Sequence, residues 1–444
     1  MSNPKDLTSG PILPHLLKMA LPMMIGMTAH MLLNIVDGIY VSRLGLEASL
    51  AVLNYGFPFF YLIFAVFNGL TSGATSVLAR NIGAGELAKA ENSLSQITWS
   101  GLFLFVVFLF LMPFALPAYL HLQEASPESS ALTWRYLIAL FAGVPFLVIA
   151  LLLGSGLRAE GNTKTLMKGL LAGTLLNIAL APFLIYETFT FAGLTWKGTG
   201  WGVAGAGIAT TVANLITTAV VLAIFLRGRT TLRPRIWPSW EDLSGLKDAF
   251  AVGLPSILSQ ALIGVNIFIL TKLATPFGPS AVSAVGIGTR LDTLAVFPSL
   301  AIMVAVLSLV GQNFGARRFE RVEQSVRIGL GAAFATLLVI GLVVHFARAS
   351  VVGLFHPAPE VLPSALHYVG VTSLGFAFTG ISIVSSGAFQ GLGRGLPFLF
   401  LNVLRLVLIA MPAGWLLSTT VGERGLHYTP LLASSASALV AGTW

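Results

Sequence analysis

"LARNIGAGELAKAENS", residues 78–93, returns in altered form as "VGQNFGARRFERVEQS" at 310–325. Asn81 aligns with Asn313 and Gly83 with Gly315, an offset of 313 − 81 = 232. Other pairs keep the order at nearly the same spacing: "LP" at 21–22 with "LP" at 254–255, Tyr136 with Tyr368, Gly143 with Gly375, and "GLRAEGNTK" at 156–164 with "AFQGLGRGL" at 388–396. Any one match is weak, but the ordered set reads as an internal duplication.

The duplicated unit is a membrane bundle. Of 444 residues, 56% are hydrophobic and only 9% charged, where a soluble protein carries about 25% charged residues. A spanning helix needs about 20 mostly apolar residues. Twelve such stretches are expected, near 13–42, 49–79, 95–120, 132–157, 165–188, 203–227, 249–274, 281–311, 325–347, 364–390, 396–418 and 428–443. An even count puts both termini on one side. Placing the N-terminus inside assigns 17 of the 25 Lys and Arg residues to inner segments, so both ends are expected to be cytoplasmic. That bias explains the net charge of +8 without nucleic acid. The first residues carry no cleavable-signal pattern.

The expected fold class is therefore an all-α polytopic membrane protein, with two parallel six-helix bundles related by a pseudo-two-fold axis along the membrane normal. The N-terminal bundle is 1–227, the linker "RGRTTLRPRIWPSWEDLSGLKD" gives a cytoplasmic segment at 228–247, and the C-terminal bundle is 248–444. Parallel repeats of this kind suit alternating access around a central site.

Much chemistry is excluded. The chain has no cysteine, so it has no disulfide, thiolate metal site or cysteine nucleophile. It has no GxxxxGK[ST] loop, HExxH or GxSxG pattern. The reading is a non-enzyme without cofactor or metal, driven by an ion gradient.

Polar groups inside spans mark function, because a charge near the bilayer centre costs at least about 2.5–3.5 kcal/mol. In span one His30, Asn34 and Asp37 fall at i, i+4 and i+7, one stripe of a helix. The second-half counterpart of Asp37 is Leu270, so this acid occurs once. Taking a carboxyl out of water disfavours its charged form, which gives Asp37 a reason to exchange a proton. Asp292 is expected to pair with Arg290 or Lys272 in a structural role. Arg405 lies about nine residues inside span eleven and needs a partner the sequence does not name. Pro22, about four turns before Asp37, is the expected bending point.

At these residues the chain resembles the MATE family (multidrug and toxic compound extrusion). The resemblance rests on "VDGIYVSRLG" in span one, "ARNIGAGE" after span two, "VGQNFGARR" after span eight, "GLRAEGNTKTLMKGLLAGTLLNIALAPFLI" and "GVAGAGIATTVAN". One acid in span one and none in span ten looks most like the DinF-like branch. The resemblance implies a secondary active antiporter of the inner membrane. It would export amphipathic, often cationic compounds in exchange for H⁺, or less readily Na⁺.

Carried over residue by residue, Asp37 matches the coupling aspartate, Asn177, Thr210 and Tyr136 its polar neighbours, and Pro22 the bending proline. Ala181 in "NIALAP" stands where a second carboxylate is often found, which disfavours a Na⁺ site and favours a proton. An adaptable apolar cavity would draw on Met23, Met27, Met31, Phe57, Phe60 and Tyr61, with Gln260, Asn266 and Arg405 as polar candidates. The expected partners are small amphipathic drugs and membrane lipids, and the expected state is a monomer. The alternative is a lipid-linked precursor flippase of the same superfamily.

Overall fold

A computed structural model describes residues 6–44, 47–191 and 193–443. The side chains of 30, 31, 34, 47–51, 53 and 54 lie outside that description, and with them the His30, Met31 and Asn34 expectations. Sixteen α-helices are described: α1 (Ile12–Ser42), α2 (Glu47–Gly83), α3 (Leu87–Leu122), α4 (Pro127–Phe141), α5 (Val144–Ala159), α6 (Thr163–Ile185), α7 (Val203–Leu226), α8 (Ser244–Ala274), α9 (Pro279–Gly315), α10 (Phe319–Phe346), α11 (Arg348–Gly353), α12 (Leu362–Thr372), α13 (Phe376–Gly391), α14 (Leu396–Asn402), α15 (Met411–Thr420) and α16 (Glu423–Thr443). Ten helical stretches among the described residues are long and apolar enough to cross a membrane, and an eleventh is α4 with α5, bent by 44°. The expected twelfth is α16, which is rich in serine and alanine. Its Ser434 and Ser437 bond to Thr379 and Ser382 of α13, as small polar residues do where membrane helices approach closely.

Two breaks position side chains. Ser126 caps α4, accepting the Ser129 amide at 3.2 Å with Pro127 following, an ordinary helix start. The α4–α5 break falls at Ala142–Gly143, because α7 comes too close there for a side chain. A Cβ on Gly143 would lie 2.6 Å from Thr211 Oγ1. Span eleven is interrupted by a π-helical stretch, Val403–Ala410. Between α6 and α7 stands a hairpin, β1 (Thr188–Phe191) antiparallel to β2 (Leu194–Lys197), with Phe189 opposite Trp196.

The contacts group the chain into two units. One holds Ile25–Leu78 and Glu86–Ala249, the other Leu7–Met24, Ala79–Gly85 and Phe250–Trp444. The division falls after Ala249, beside the expected 247/248, and it groups 7–24 and 79–85 with the second half of the chain.

In the first unit the linker is strapped to the ends of α3 and α5. Glu160 Oε1 accepts the Leu232 amide at 2.8 Å, Glu91 that of Arg233 at 2.9 Å, and Ser95 that of Arg235 at 2.8 Å. Gln96 donates to the carbonyls of Ser239 and Asp242. Trp99 donates to the Ile236 carbonyl at 2.7 Å and stacks on Trp237, centroids 5.7 Å apart.

In the second unit the chain's start is held by the repeated motif. Gln312 accepts the Leu7 amide, while Asn313 and Arg321 donate to the Leu7 carbonyl and Arg318 to that of Thr8. The front of α1 (Leu16, Met19 and Ala20) packs with Ile302, Val306 and Leu309 of α9. The same unit explains the duplicated glycines. A Cβ on Gly83 would lie 1.9 Å from the Gln312 carbonyl oxygen, and one on Gly315 2.0 Å from that of Arg80. The repeated Asn-x-Gly marks two helix ends packed backbone against backbone.

Candidate functional site

In the first unit the threonine-rich α7 lies between α6 and the α4–α5 pair. Thr211 donates to the Ala139 carbonyl at 2.7 Å, and Thr217 to that of Ala213 at 2.9 Å. Gly173 of α6 has no room for a Cβ, which would meet Thr217 Oγ1 at 2.3 Å. This packing turns Thr210, one residue before Thr211, toward α1 and α6.

There the expected residues meet. The Thr210 hydroxyl interacts with the Asp37 carboxyl, and Asn177 Nδ2 donates to Thr210 Oγ1 at 3.2 Å. Tyr136 lies within the field of Asp37. Asn177 is fully buried. Among the described residues, Asp37 Oδ1 and Asn177 Oδ1 are buried and have no hydrogen-bond partner. Thr210 Oγ1 also reaches the Ala206 carbonyl at 3.2 Å. A hydroxyl has one proton to give, so it can serve the Ala206 carbonyl or the Asp37 carboxylate but not both. An added proton on Asp37 changes that choice. Ala181, at the position of the missing second carboxylate, is fully buried.

Sequence reasoning missed two tyrosines. Tyr40, three residues after Asp37, donates to the Ile178 carbonyl at 3.3 Å, and Tyr186 donates to the Tyr40 carbonyl at 2.6 Å. They tie the end of α1 to α6. The signal was present in "VDGIY", since a tyrosine near a span's end brings a polar tip that needs a partner.

Tyr136 seats on α2 at Gly56, where a Cβ would lie 3.0 Å from the ring. The second unit repeats this pair. A Cβ on Gly288 would lie 2.0 Å from the ring of Tyr368, and both members are 232 residues on (288 − 56 and 368 − 136). An acid stands beside this tyrosine as well, but from another helix. The Tyr368 hydroxyl donates to Asp292 Oδ2 at 3.5 Å, with Thr372 and the charge of Arg405 nearby. This corrects the expected pairing of Asp292 with Arg290 or Lys272, neither of which forms an ion pair with it among the described residues. The helix period that places Arg290 and Asp292 two residues apart also points them to different sides. Arg405 sits in the π-helical stretch and donates through Nη2 to Asn402 Oδ1 at 3.2 Å. Asp292 Oδ1 and Arg405 Nε are buried without hydrogen-bond partners among the described residues.

Pro22 lies within α1, which continues through it, two residues before the contacts of α1 change from the second unit to the first at Met24/Ile25. The cavity candidates divide likewise. Met27, Phe57, Phe60 and Tyr61 belong to the first unit, and Met23, Gln260, Asn266 and Arg405 to the second. Phe57 and Tyr61 stack at 6.2 Å, and Met23 is buried.

The MatE family profile matches this chain twice, at 22–183 and 255–416. Both starts and both ends differ by 233, close to the spacing of the duplicated motifs. The chain is 26% identical over 437 residues to the multidrug export protein MepA of Staphylococcus aureus (strain bovine RF122 / ET3-1), covering 97% of this chain and 93% of that protein. It is 27% identical over 434 residues to an FAD transporter of Shewanella oneidensis, covering 96% and 92%. A solved structure described as the outward-facing conformation of a multidrug resistance MATE family transporter matches with a TM-score of 0.92 at 27% identity, covering all of this chain and 97% of the other. The two copies of the profile take in most of the chain and the helices that carry Asp37, Tyr136, Asn177, Asp292, Tyr368 and Arg405, and on this ground the chain belongs to the MatE family of multi-pass membrane transporters.

Proposed function

We propose that the protein is a secondary active efflux antiporter of the DinF-like branch. It exports amphipathic, often cationic compounds in exchange for protons and takes up the proton at Asp37. The observation that carries this reading is the Asp37 carboxyl itself, with Thr210 beside it, Asn177 behind Thr210, and one buried oxygen left without a partner. A proton on that oxygen removes the buried charge and turns the unpartnered acceptor into a donor. The Thr210 hydroxyl is then released to the Ala206 carbonyl, loosening the tie between α1 and α7. Bending at Pro22 would carry this local change along α1.

A proton suits this site better than Na⁺, which calls for several oxygen ligands, because the position of a second acid is Ala181. The Lys and Arg bias supports cytoplasmic termini in an inner membrane, and the protein would work as a monomer. Arg405 and the FAD transporter relative favour one second reading, an anionic or lipid-linked cargo.

The test is transport in proteoliposomes. Efflux of a fluorescent cationic dye driven by a pH gradient, and lost in Asp37→Asn, is expected. Drive by a Na⁺ gradient alone would overturn proton coupling. No dye movement under either gradient in folded protein would favour the anionic cargo.

A further inference from the structure

Beside the linker strap is an open cleft of about 750 Å³, within the ~300–1,000 Å³ usual for small-molecule sites. Its wall is apolar where α3, α5 and α7 meet, formed by Leu102, Ile149, Leu153 and Leu222, with Trp99 at the rim. Its other wall is the linker, which contributes Arg227, Arg233 and Arg235. No ion pair or side-chain hydrogen bond engages these three guanidinium groups among the described residues, although the backbone beneath two of them is fixed. The amides of Arg233 and Arg235 bond to Glu91 and Ser95, and the Trp99–Trp237 stack closes the end of the strap. Three unpaired cations are thus held in place over an apolar slot at the end of membrane helices, and Leu226, Ile236 and Trp237 beside it are more than three-quarters exposed.

An occupant of this cleft must be apolar at one end and anionic at the other. We propose that it is a binding site for an anionic phospholipid, with the headgroup phosphate on Arg227, Arg233 and Arg235 and an acyl chain along Leu102, Leu153 and Leu222. Arginine forks suit phosphate oxygens, and basic pockets between membrane helices on the cytoplasmic side recognise such headgroups. With the termini inside, as proposed above, the site faces the inner leaflet. A bound lipid bridges the linker to α3, α5 and α7 and so stiffens the strap. The site does not depend on the reading of Asp37.

The test uses the purified full-length protein in neutral detergent, titrated with phosphatidylglycerol carrying a brominated acyl chain. Tryptophan fluorescence is compared with that of Trp99→Phe/Trp237→Phe. Saturable quenching at one lipid per protein is expected, with most of the quenched signal absent in the double variant. Each basic residue near a headgroup is worth roughly fivefold in affinity, so Arg227→Gln/Arg233→Gln/Arg235→Gln should weaken binding about a hundredfold. These exposed residues make no side-chain bond whose loss would unfold the protein, and the melting temperature without lipid checks that. Equal quenching by brominated phosphatidylcholine would overturn the charge selection. Displacement of the lipid by free inorganic phosphate at similar concentration would mean a soluble-anion site and overturn the lipid assignment. Unchanged affinity in the triple variant would overturn the placement.

Discussion

Glu160 sets how firmly the linker is strapped to the first unit, and that firmness should depend on pH. The residue follows α5, outside the spans, and is 6% exposed. Burial pushes its carboxyl up from 4.5 to about 7, against the amides of Leu232 and Thr231, which pull it down. When the strap lifts, Glu160 returns to water and to its ordinary value. The strapped state therefore binds the proton more tightly. Its extra stability is complete below pH 4.5, falls as pH rises toward 7, and is gone above that. A gap of about 2.5 units corresponds to roughly 3 kcal/mol as an upper limit, at 1.36 kcal/mol per unit.

Hydrogen exchange of the 228–243 segment, corrected for the intrinsic pH dependence of exchange, reads this directly. Protection of the Leu232 amide should fall by up to about two orders of magnitude between pH 5 and pH 8. Glu160→Gln keeps an acceptor for that amide and removes the charge, so its protection should stay high and flat. Protection that rises with pH, or an equal slope in Glu160→Gln, would refute the reasoning.

Other substitutions have equally definite outcomes. Asp37→Asn should abolish pH-driven accumulation while leaving binding of a labelled substrate at high pH measurable. Each pH unit across the membrane supplies about 1.4 kcal/mol per proton, about a tenfold substrate gradient, and that is the drive lost in a vesicle assay. Gly83→Ala and Gly315→Ala each force a Cβ into backbone and should cost about 1–3 kcal/mol in thermal stability. Because the two glycines sit in one contact, the double variant should cost less than the sum. Asp292→Asn removes the charge that faces Arg405 and should lower the melting temperature. Recovery in Asp292→Asn/Arg405→Gln would show that the two charges act as a pair, and no recovery would show that they do not. Tyr186→Phe loses a 2.6 Å bond and should cost about 0.5–1.5 kcal/mol, read as a shift in melting temperature.

Features carried by one helix or by the duplication could be read from the sequence. Asp37, Tyr136, Asn177 and Thr210 were legible because each sits in a motif on its own span, and the fold brings them together. The Tyr136–Tyr368 correspondence was legible too, but the glycine beneath each ring was not, because a glycine carries no local signal of what packs on it. What spacing cannot reveal is which helix delivers a charge across a gap. Asp292 belongs with Tyr368 through the packing of α9 on α12, with the charge of Arg405 in the π-helical stretch nearby, and no local pattern encodes a π turn. The α4–α5 break was hidden for the same reason, since it depends on Thr211 pressing against Gly143. The hairpin at 188–197 escaped because its alternation is short and both faces are largely exposed.

The packing of α1 also sets a schedule for assembly. Leu16 is made well before its partner, yet it packs in one cluster with Leu309, 309 − 16 = 293 residues later. At about 5–20 residues per second, the leading helix waits roughly 15–60 s for its partner. During that time its apolar face has only lipid to cover it. The second unit cannot close when the first half of the chain is finished, because residues 7–24 wait for partners made after residue 250. A ribosome that stalls in the linker leaves an N-terminal fragment with an open seam, and two fragments cut there should assemble only when both are present in the same membrane.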